Sequence, residues 1–165
     1  MTLENPSIHT LAEALGQQLL AKSWSVAIAE SCTGGKLCAA ITDIPGCSAW
    51  FDRGFVTYSN QAKETLLNVP HVTLLTHGAV SKETALAMAQ GALLASHANI
   101  SLAITGIAGP SGGSPEKPIG TVWIACSCTN QPPQANHHVF SGDRQAIREQ
   151  TVFAALHHLI NRCAS

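Results

Sequence analysis

Two potential nucleophiles, Ser31 and Cys32, lie side by side in the polar segment 30–36. Residues 26–29 before this segment form an apolar run typical of a buried strand, and residues 37–41 after it are typical of a buried helix face. A strand, a glycine-containing turn and a helix start present free backbone N–H groups at a positive dipole end, where an anion or a reaction oxyanion is stabilised. The structural alternative is a tight turn in which a hydroxyl side chain caps the helix.

A serine nucleophile needs a base, and Lys63 is the favoured candidate. Lys63 begins a helix after the predicted strand 50–59, so it can lie at the carboxyl edge of the sheet, as Ser31 does. A buried lysine beside other cations can lose its proton near neutral pH. Tyr58 ends the same strand, where it could relay a proton or hold the lysine. The structural alternatives are a surface residue on a short helix for Lys63 and an aromatic residue at the end of a strand for Tyr58. Lys36, five residues after Ser31, is a second possible base.

A long loop rich in glycine and proline, residues 107–118, lies between two predicted strands. Loops of this length are typically functional. The segment 109–113 could cradle a phosphate through its backbone N–H groups, and Lys117, Arg144 and Arg148 could add positive charge. No Walker lysine motif is present.

Composition and charge argue against several classes of protein. The 165 residues suffice for one domain over residues 1–165, and 45% apolar against 12% charged residues favours a compact globule with surface left for subunit contacts. A net charge of −1 does not favour a nucleic-acid partner. No apolar run is long enough to span a bilayer, and residues 1–6 lack the pattern of a signal peptide. We therefore expect a cytoplasmic protein without a membrane partner.

The cysteines and histidines lack the spacing of a metal-ligand set. None of the six cysteines forms a CxxC pair, and Cys126 and Cys128 alternate along a predicted strand, which favours packing as free thiols. The histidine pairs 137–138 and 157–158 are expected to be solvated. No metal or other cofactor is therefore predicted.

Helices and strands alternate along most of the chain, which predicts the α/β class. Because buried strands need helices on both faces, we expect a three-layer α/β/α sandwich around a mostly parallel mixed sheet of about five strands. The third and fourth strands have no helix between them, so one antiparallel pair is expected. The predicted strands are 25–29, 50–59, 100–104, 119–128 and 135–140. The predicted helices are 7–22, one ending near residue 43, 61–67, 81 to about 97, and one starting at 141–143; residues 71–76 have no predicted form.

Six segments, taken together and in order, resemble the C-terminal domain family of the competence- and damage-inducible protein CinA. The resemblance extends over about residues 7–162, nearly the whole chain. Its stand-alone members are nicotinamide-nucleotide amidohydrolases. The segments are 29–35 (AESCTGG), 58–63 (YSNQAK), 78–84 (GAVSKET), 105–113 (TGIAGPSGG), 117–122 (KPIGTV) and 140–144 (FSGDR).

The resemblance implies a homodimer that hydrolyses nicotinamide mononucleotide to nicotinate mononucleotide and ammonia, in pyridine-nucleotide recycling. Ser31 matches the family's nucleophile, and Tyr58 and Lys63 match its tyrosine-lysine segment. Lys36 departs from the family, where an apolar or aromatic residue is usual, and is therefore disfavoured as a catalytic residue.

In the mechanism expected from these residues, Lys63 takes the proton of Ser31 and backbone groups bind the oxyanion and the 5′-phosphate. The expected binding residues are Thr33, Gly34, Gly35, Thr105 and Gly106 for the oxyanion, and Gly109, Gly112 and Arg144 for the phosphate. The alternatives are a non-catalytic nucleotide-binding module and an amidase that uses Cys32.

Overall fold

The computed structural model describes residues 5–165. In chain order its elements are α1 (Ile8–Lys22), β1 (Val26–Glu30), α2 (Lys36–Thr42), a short 3₁₀ helix (Cys47–Ala49), β2 (Phe51–Val56), α3 (Asn60–Leu67), α4 (His71–His77), α5 (Lys82–Leu94), β3 (Ile100–Gly106), β4 (Thr121–Cys128), β5 (Gln131–Val139) and α6 (Arg144–Ala164). Each predicted helix and strand is present, and the segment 71–76 lies in helix α4. Strand β2 ends at Val56, however, so Tyr58 follows the strand and does not end it.

The five strands form one mixed sheet in the order β2-β1-β3-β4-β5. Strand β1 is parallel to β2 and β3, whereas β4 is antiparallel to both β3 and β5. Four strands therefore run in the same direction and β4 opposes them. The expectation of one antiparallel pair is wrong, because β5 begins at Gln131 and forms a hairpin with β4. Pro132 and Pro133, which argue against a strand, are tolerated because β5 is at the edge of the sheet.

The helices cover both faces of the sheet, which confirms the three-layer α/β/α fold. On one face, α1, α2 and α6 pack on branched residues such as Ile28, Leu102 and Ile124. On the other face, α5 packs on small residues of the sheet, and α3 and α4 pack against α5. Four alanines lie in register across neighbouring strands there: Ala29, Ala103, Ala125 and Ala135. Because α5 also presents small residues, it packs closely on this row, as its sequence predicts.

Polar side chains cap the starts of four helices. Ser7, Ser59, Ser81 and Asp143 each accept a hydrogen bond from the backbone N–H three residues later, at the starts of α1, α3, α5 and α6. Helix α3, which carries Lys63, therefore starts one residue earlier than predicted. Among the helices between residues 5 and 165, none combines the length and the apolarity needed to cross a membrane.

The cysteines agree with the sequence prediction, but the histidines do not all do so. Cys126 and Cys128 are buried in the core as free thiols. His138, His157 and His158 are partly buried, and the Nε2 atoms of His138 and His158 lie 2.9 Å apart. The expectation that both histidine pairs are solvated is therefore wrong for these three residues, because α6 packs against β5 at His138 and His158 and the His157 ring packs on Phe153.

Candidate active site

The nucleophile turn, residues 31–35, begins where β1 ends, between the carboxyl ends of β2 and β3. The Ser31 N–H donates to the carbonyl oxygen of Ile104 at 3.1 Å, and the Gly34 N–H donates to the carbonyl oxygen of Ser31 at 3.0 Å. Gly34 has a φ of 58° and Gly35 a φ of 102°, backbone conformations that favour glycine. The two glycines let the chain turn sharply from β1 into α2, which keeps Ser31 at the sheet edge.

The structure brings the predicted nucleophile and base together. The Lys63 side chain extends from α3 into the interior and is only 1% exposed. Its Nζ atom lies 3.0 Å from Ser31 Oγ and donates to the carbonyl oxygen of Thr57 at 2.7 Å. A lysine amine within hydrogen-bond distance of a serine hydroxyl is the geometry that proton transfer between them requires.

The surroundings of Lys63 favour its neutral form. Burial lowers the pKa of Lys63 from 10.5 to about 8, and nearby Cys32 opposes this shift weakly. Within residues 5–165, no carboxylate forms an ion pair with the amine. At pH 8, about half of the Lys63 side chains are therefore neutral and able to accept a proton.

Cys32 is a weaker candidate for the nucleophile than its neighbour. Its side chain is buried, and burial raises the pKa of the thiol to about 11, with the charge of Glu30 acting in the same direction. The reactive thiolate is therefore scarce near neutral pH. In the described part of the chain, no histidine hydrogen-bonds to Cys32.

Tyr58 and Arg144 contact each other at the mouth of the site. Arg144 Nη2 donates to the Tyr58 hydroxyl at 3.2 Å, and Nη1 donates to the carbonyl oxygen of Gly109 at 2.7 Å. Tyr58 is 62% exposed, and its hydroxyl forms no hydrogen bond with Lys63 among residues 5–165. The contacts thus place Tyr58 beside Arg144 rather than in direct contact with the base.

The end of β3 and the segment before α5 form the opposite wall. Thr105 Oγ1 donates to the carbonyl oxygen of Ala79 at 2.7 Å, which fixes residues 78–81 against the sheet. A Cβ atom at Gly106 would lie 2.7 Å from a Val122 methyl and 3.2 Å from Cys32 Sγ. Only glycine fits there without displacing the nucleophile turn or β4.

These walls enclose a half-open cavity of about 190 Å³. Its lining residues are Ser31, Cys32, Tyr58, Lys63, Ala79, Val80, Thr105, Gly106, Ala108 and Arg144. Gly109 contributes through its carbonyl oxygen, which accepts a hydrogen bond from Arg144. The remaining predicted binding residues do not line the cavity: Thr33, Gly34 and Gly35 lie in the turn behind Ser31, and Gly112 lies in the exposed part of the loop.

Glu30 is a structural element of the site that sequence reasoning missed. Its fully buried carboxylate accepts hydrogen bonds from the Leu37 N–H and the Cys38 N–H, both at 3.0 Å. The start of α2 is therefore occupied by a carboxylate of the same chain and is not the free anion site that its sequence suggests. The available signal was an acidic residue at the end of a buried strand, just before a helix start.

Arg148, which the sequence predicts only as a source of charge, also supports the nucleophile turn. Its Nε donates to the carbonyl oxygen of Cys32 at 3.1 Å and its Nη2 to that of Thr33 at 3.0 Å. Lys36 is half-exposed and hydrogen-bonds to neither Ser31 nor Lys63. Between residues 5 and 165, no cluster of three histidine, cysteine or acidic side chains is arranged to hold a metal ion.

Comparisons with known proteins identify the family of this chain. The model of the CinA C-terminal domain matches residues 8–163. The nicotinamide-nucleotide amidohydrolase PncC of Escherichia coli K12 is 51% identical over 157 residues, 95% of each chain, and the protein of that name from Pseudomonas putida is 50% identical over 153 residues, 93% of this chain and 95% of that one. The structure of the competence/damage inducible protein CihA from Agrobacterium tumefaciens superposes with a TM-score of 0.93 at 46% identity, covering 98% of both chains. With this match over nearly its whole length, the chain belongs to the CinA C-terminal domain family.

Proposed function

We propose that this protein is an amidohydrolase that converts nicotinamide mononucleotide to nicotinate mononucleotide and ammonia. The observation that carries the proposal is the buried Lys63 amine, 3.0 Å from Ser31 Oγ in a half-open cavity. The names of the relatives from Escherichia coli and Pseudomonas putida support the substrate class. The reaction serves the recycling of pyridine nucleotides.

In the first step, Ser31 attacks the carbon of the substrate's carboxamide. The neutral Lys63 amine accepts the Ser31 proton as the new C–O bond forms, and the resulting ammonium keeps its hydrogen bond to the carbonyl oxygen of Thr57. The same proton then passes to the departing nitrogen, so that ammonia leaves and an acyl-serine remains. Water, activated by the amine in the same way, hydrolyses the acyl group to the carboxylate and regenerates Ser31.

The backbone N–H of Cys32, in the nucleophile turn, stabilises the oxyanion of the tetrahedral intermediate. Within residues 5–165 this N–H has no hydrogen-bond acceptor, and Cys32 lines the cavity, whereas the Gly34 N–H already donates to Ser31 and neither Thr33 nor Gly35 lines the cavity. Arg148 supports this role because it fixes the carbonyl groups of Cys32 and Thr33 and thereby orients the adjoining peptides.

Arg144 binds the 5′-phosphate of the substrate at the mouth of the cavity. A guanidinium has five N–H donors, and Arg144 uses only two of its nitrogens in contacts with Tyr58 and Gly109. Charge-assisted contacts to phosphate are strong and directional.

From the family resemblance we further propose that the protein is a cytoplasmic homodimer without a nucleic-acid partner. Light scattering coupled to size-exclusion chromatography would test the oligomeric state.

Ammonia release from nicotinamide mononucleotide by the purified protein tests this function. Ser31→Ala should lose at least about 10³-fold in kcat, since removing the nucleophile leaves only binding and oxyanion stabilisation. Cys32→Ala is the matched control and should retain most of the activity. Loss of activity in Cys32→Ala with retention in Ser31→Ala would identify the cysteine as the nucleophile. Tight substrate binding without ammonia release would instead indicate the nucleotide-binding module.

A further inference from the structure

A second polar cavity, of about 320 Å³, lies between β4, β5 and the C-terminal end of α6. Its lining residues are Cys126, Gln134, Asn136, His158, Asn161, Arg162 and Ser165, and none of them has an acidic side chain. Arg162 lies eighteen residues after Arg144 on the same helix, which corresponds to about 27 Å. This cavity is therefore separate from the one that contains Ser31.

Arg162 is a buried cation without a counterion. Its side chain is 8% exposed, and Nη2 donates to the carbonyl oxygen of Pro132. Its Nε is buried with no hydrogen-bond partner, and within residues 5–165 no carboxylate forms an ion pair with it. Because burying a charge costs free energy unless the charge is paired, buried arginines normally contact an anion.

The protein itself compensates only part of this charge. The carbonyl oxygen of Pro132 and the negative end of the α6 dipole both favour a cation at Arg162, but the dipole end amounts to about half a unit charge. The Arg162 Nε is buried and unpaired, Nη1 donates to no acceptor within residues 5–165, and the side chain lines an open cavity. This combination indicates a binding site for an anion from solution.

The neighbouring histidine is held by other protein groups. The Asn136 amide lies 3.4 Å from His158 Nδ1, and His158 Nε2 lies 2.9 Å from His138 Nε2. Both ring nitrogens of His158 therefore have partners within the protein. The donors left for a ligand are the guanidinium of Arg162 and the N–H groups of the surrounding amides.

We propose that this cavity binds the phosphate group of a small molecule, with Arg162 as its principal ligand. A carboxylate would be satisfied by one guanidinium, whereas the amides of Gln134, Asn136 and Asn161 add donors on further sides and suit a tetrahedral anion with more acceptor oxygens. The proposal does not depend on the reaction at Ser31.

Calorimetric titration with inorganic phosphate and, separately, with glycerol 3-phosphate tests the site. Arg162→Met should raise the dissociation constant of the bound probe at least about tenfold, the effect expected for loss of a charge-assisted contact. Arg53→Met is the matched control, because Arg53 is a cation at the opposite edge of the sheet, paired with Asp52. It should bind like the wild type. Tighter binding of the ester than of phosphate would identify an organic phosphate as the ligand, and equal binding would identify free phosphate.

Two further variants test the site: Asn136→Ala changes a second lining residue, and Arg144→Ala shows whether the probe binds in the substrate cavity instead. Asn136→Ala changes an exposed side chain and should fold normally, and it should weaken probe binding about threefold or more. Arg144→Ala, which alters the substrate cavity, should retain the binding that depends on Arg162. If neither probe binds the wild type, or if Arg162→Met binds both as tightly as the wild type does, the proposal is wrong and Arg162 only fastens α6 to Pro132.

Discussion

Arg148 Nε donates to the carbonyl oxygen of Cys32 at 3.1 Å, while Nη2 of the same guanidinium donates to Thr33 at 3.0 Å. One side chain of α6 thus holds two successive peptides next to Ser31. Arg148→Lys keeps the charge but lacks the planar pair of donors needed for both carbonyl groups. We expect kcat to fall about 10²-fold, the cost of a misplaced reacting group, while KM changes little. Steady-state kinetics of ammonia release measure both.

The same substitution at Arg53 provides the control for Arg148. Arg53→Lys should leave kcat and KM unchanged, because Arg53 lies on β2 and bonds to Asp52 and Ala95. A rise in KM alone for Arg148→Lys would show that Arg148 binds substrate and does not position the turn.

The Ser31–Lys63 pair could be predicted from the sequence, whereas the groups that support it could not. Both residues follow strands whose carboxyl ends meet at one sheet edge, so their proximity follows from the α/β pattern. The bond from Arg148 to Cys32 joins residues 116 positions apart. The local hydrophobic periodicity of the sequence cannot predict such a contact, because it depends on how α6 packs beside α2. Glu30 was missed because its partners are backbone N–H groups, which no particular residue type marks, so the acidic residue before the helix start was the only signal.

Lys63 should act as a base that must be neutral. Because the pKa of Lys63 is lowered to about 8, kcat/KM should rise with pH along one ionisation centred near pH 8 and then reach a plateau. Lys63→Arg keeps a positive charge that does not titrate in this range, and it should lose about 10²- to 10⁴-fold in rate, as Lys63→Met does. Substantial activity in Lys63→Arg would exclude the base role.

The lowered pKa of Lys63 should also appear in the pH dependence of stability. Below about pH 8, Lys63 is protonated in both the folded and the unfolded protein, and its burial destabilises the fold. Between about pH 8 and 10.5 the unfolded state binds more protons, so stability rises with pH. Across this window the free energy of unfolding of the wild type should rise by about 3 kcal/mol relative to Lys63→Met.

Urea unfolding at a series of pH values measures this difference between the wild type and Lys63→Met. Because both proteins contain the same buried cysteines, most of the contribution of these thiols cancels in the comparison. Lys82→Met, the same substitution at an exposed lysine, is the control and is measured at the same pH values. A difference that stays constant from pH 8 to 10.5 would mean that Lys63 titrates as an ordinary lysine.

Arg144 should discriminate between substrates with and without a phosphate. Arg144→Ala should raise KM for nicotinamide mononucleotide about 10- to 100-fold, the loss expected when charge-assisted contacts to phosphate are removed. Nicotinamide riboside has no phosphate, so its poor hydrolysis should change little. Ammonia release from both compounds gives the comparison directly.

The contacts of Arg144 with Tyr58 and Gly109 offer a second explanation for impaired activity in Arg144→Ala. Kinetics with the two substrates can distinguish it from the loss of phosphate binding. If Arg144 acted by holding these groups in place, Arg144→Ala would impair both substrates equally. Tyr58→Phe removes only the hydroxyl that accepts the bond from Arg144, so it isolates this positioning effect. Because the guanidinium keeps its charge and its bond to Gly109 in that variant, we expect Tyr58→Phe to raise KM for the nucleotide much less than Arg144→Ala does.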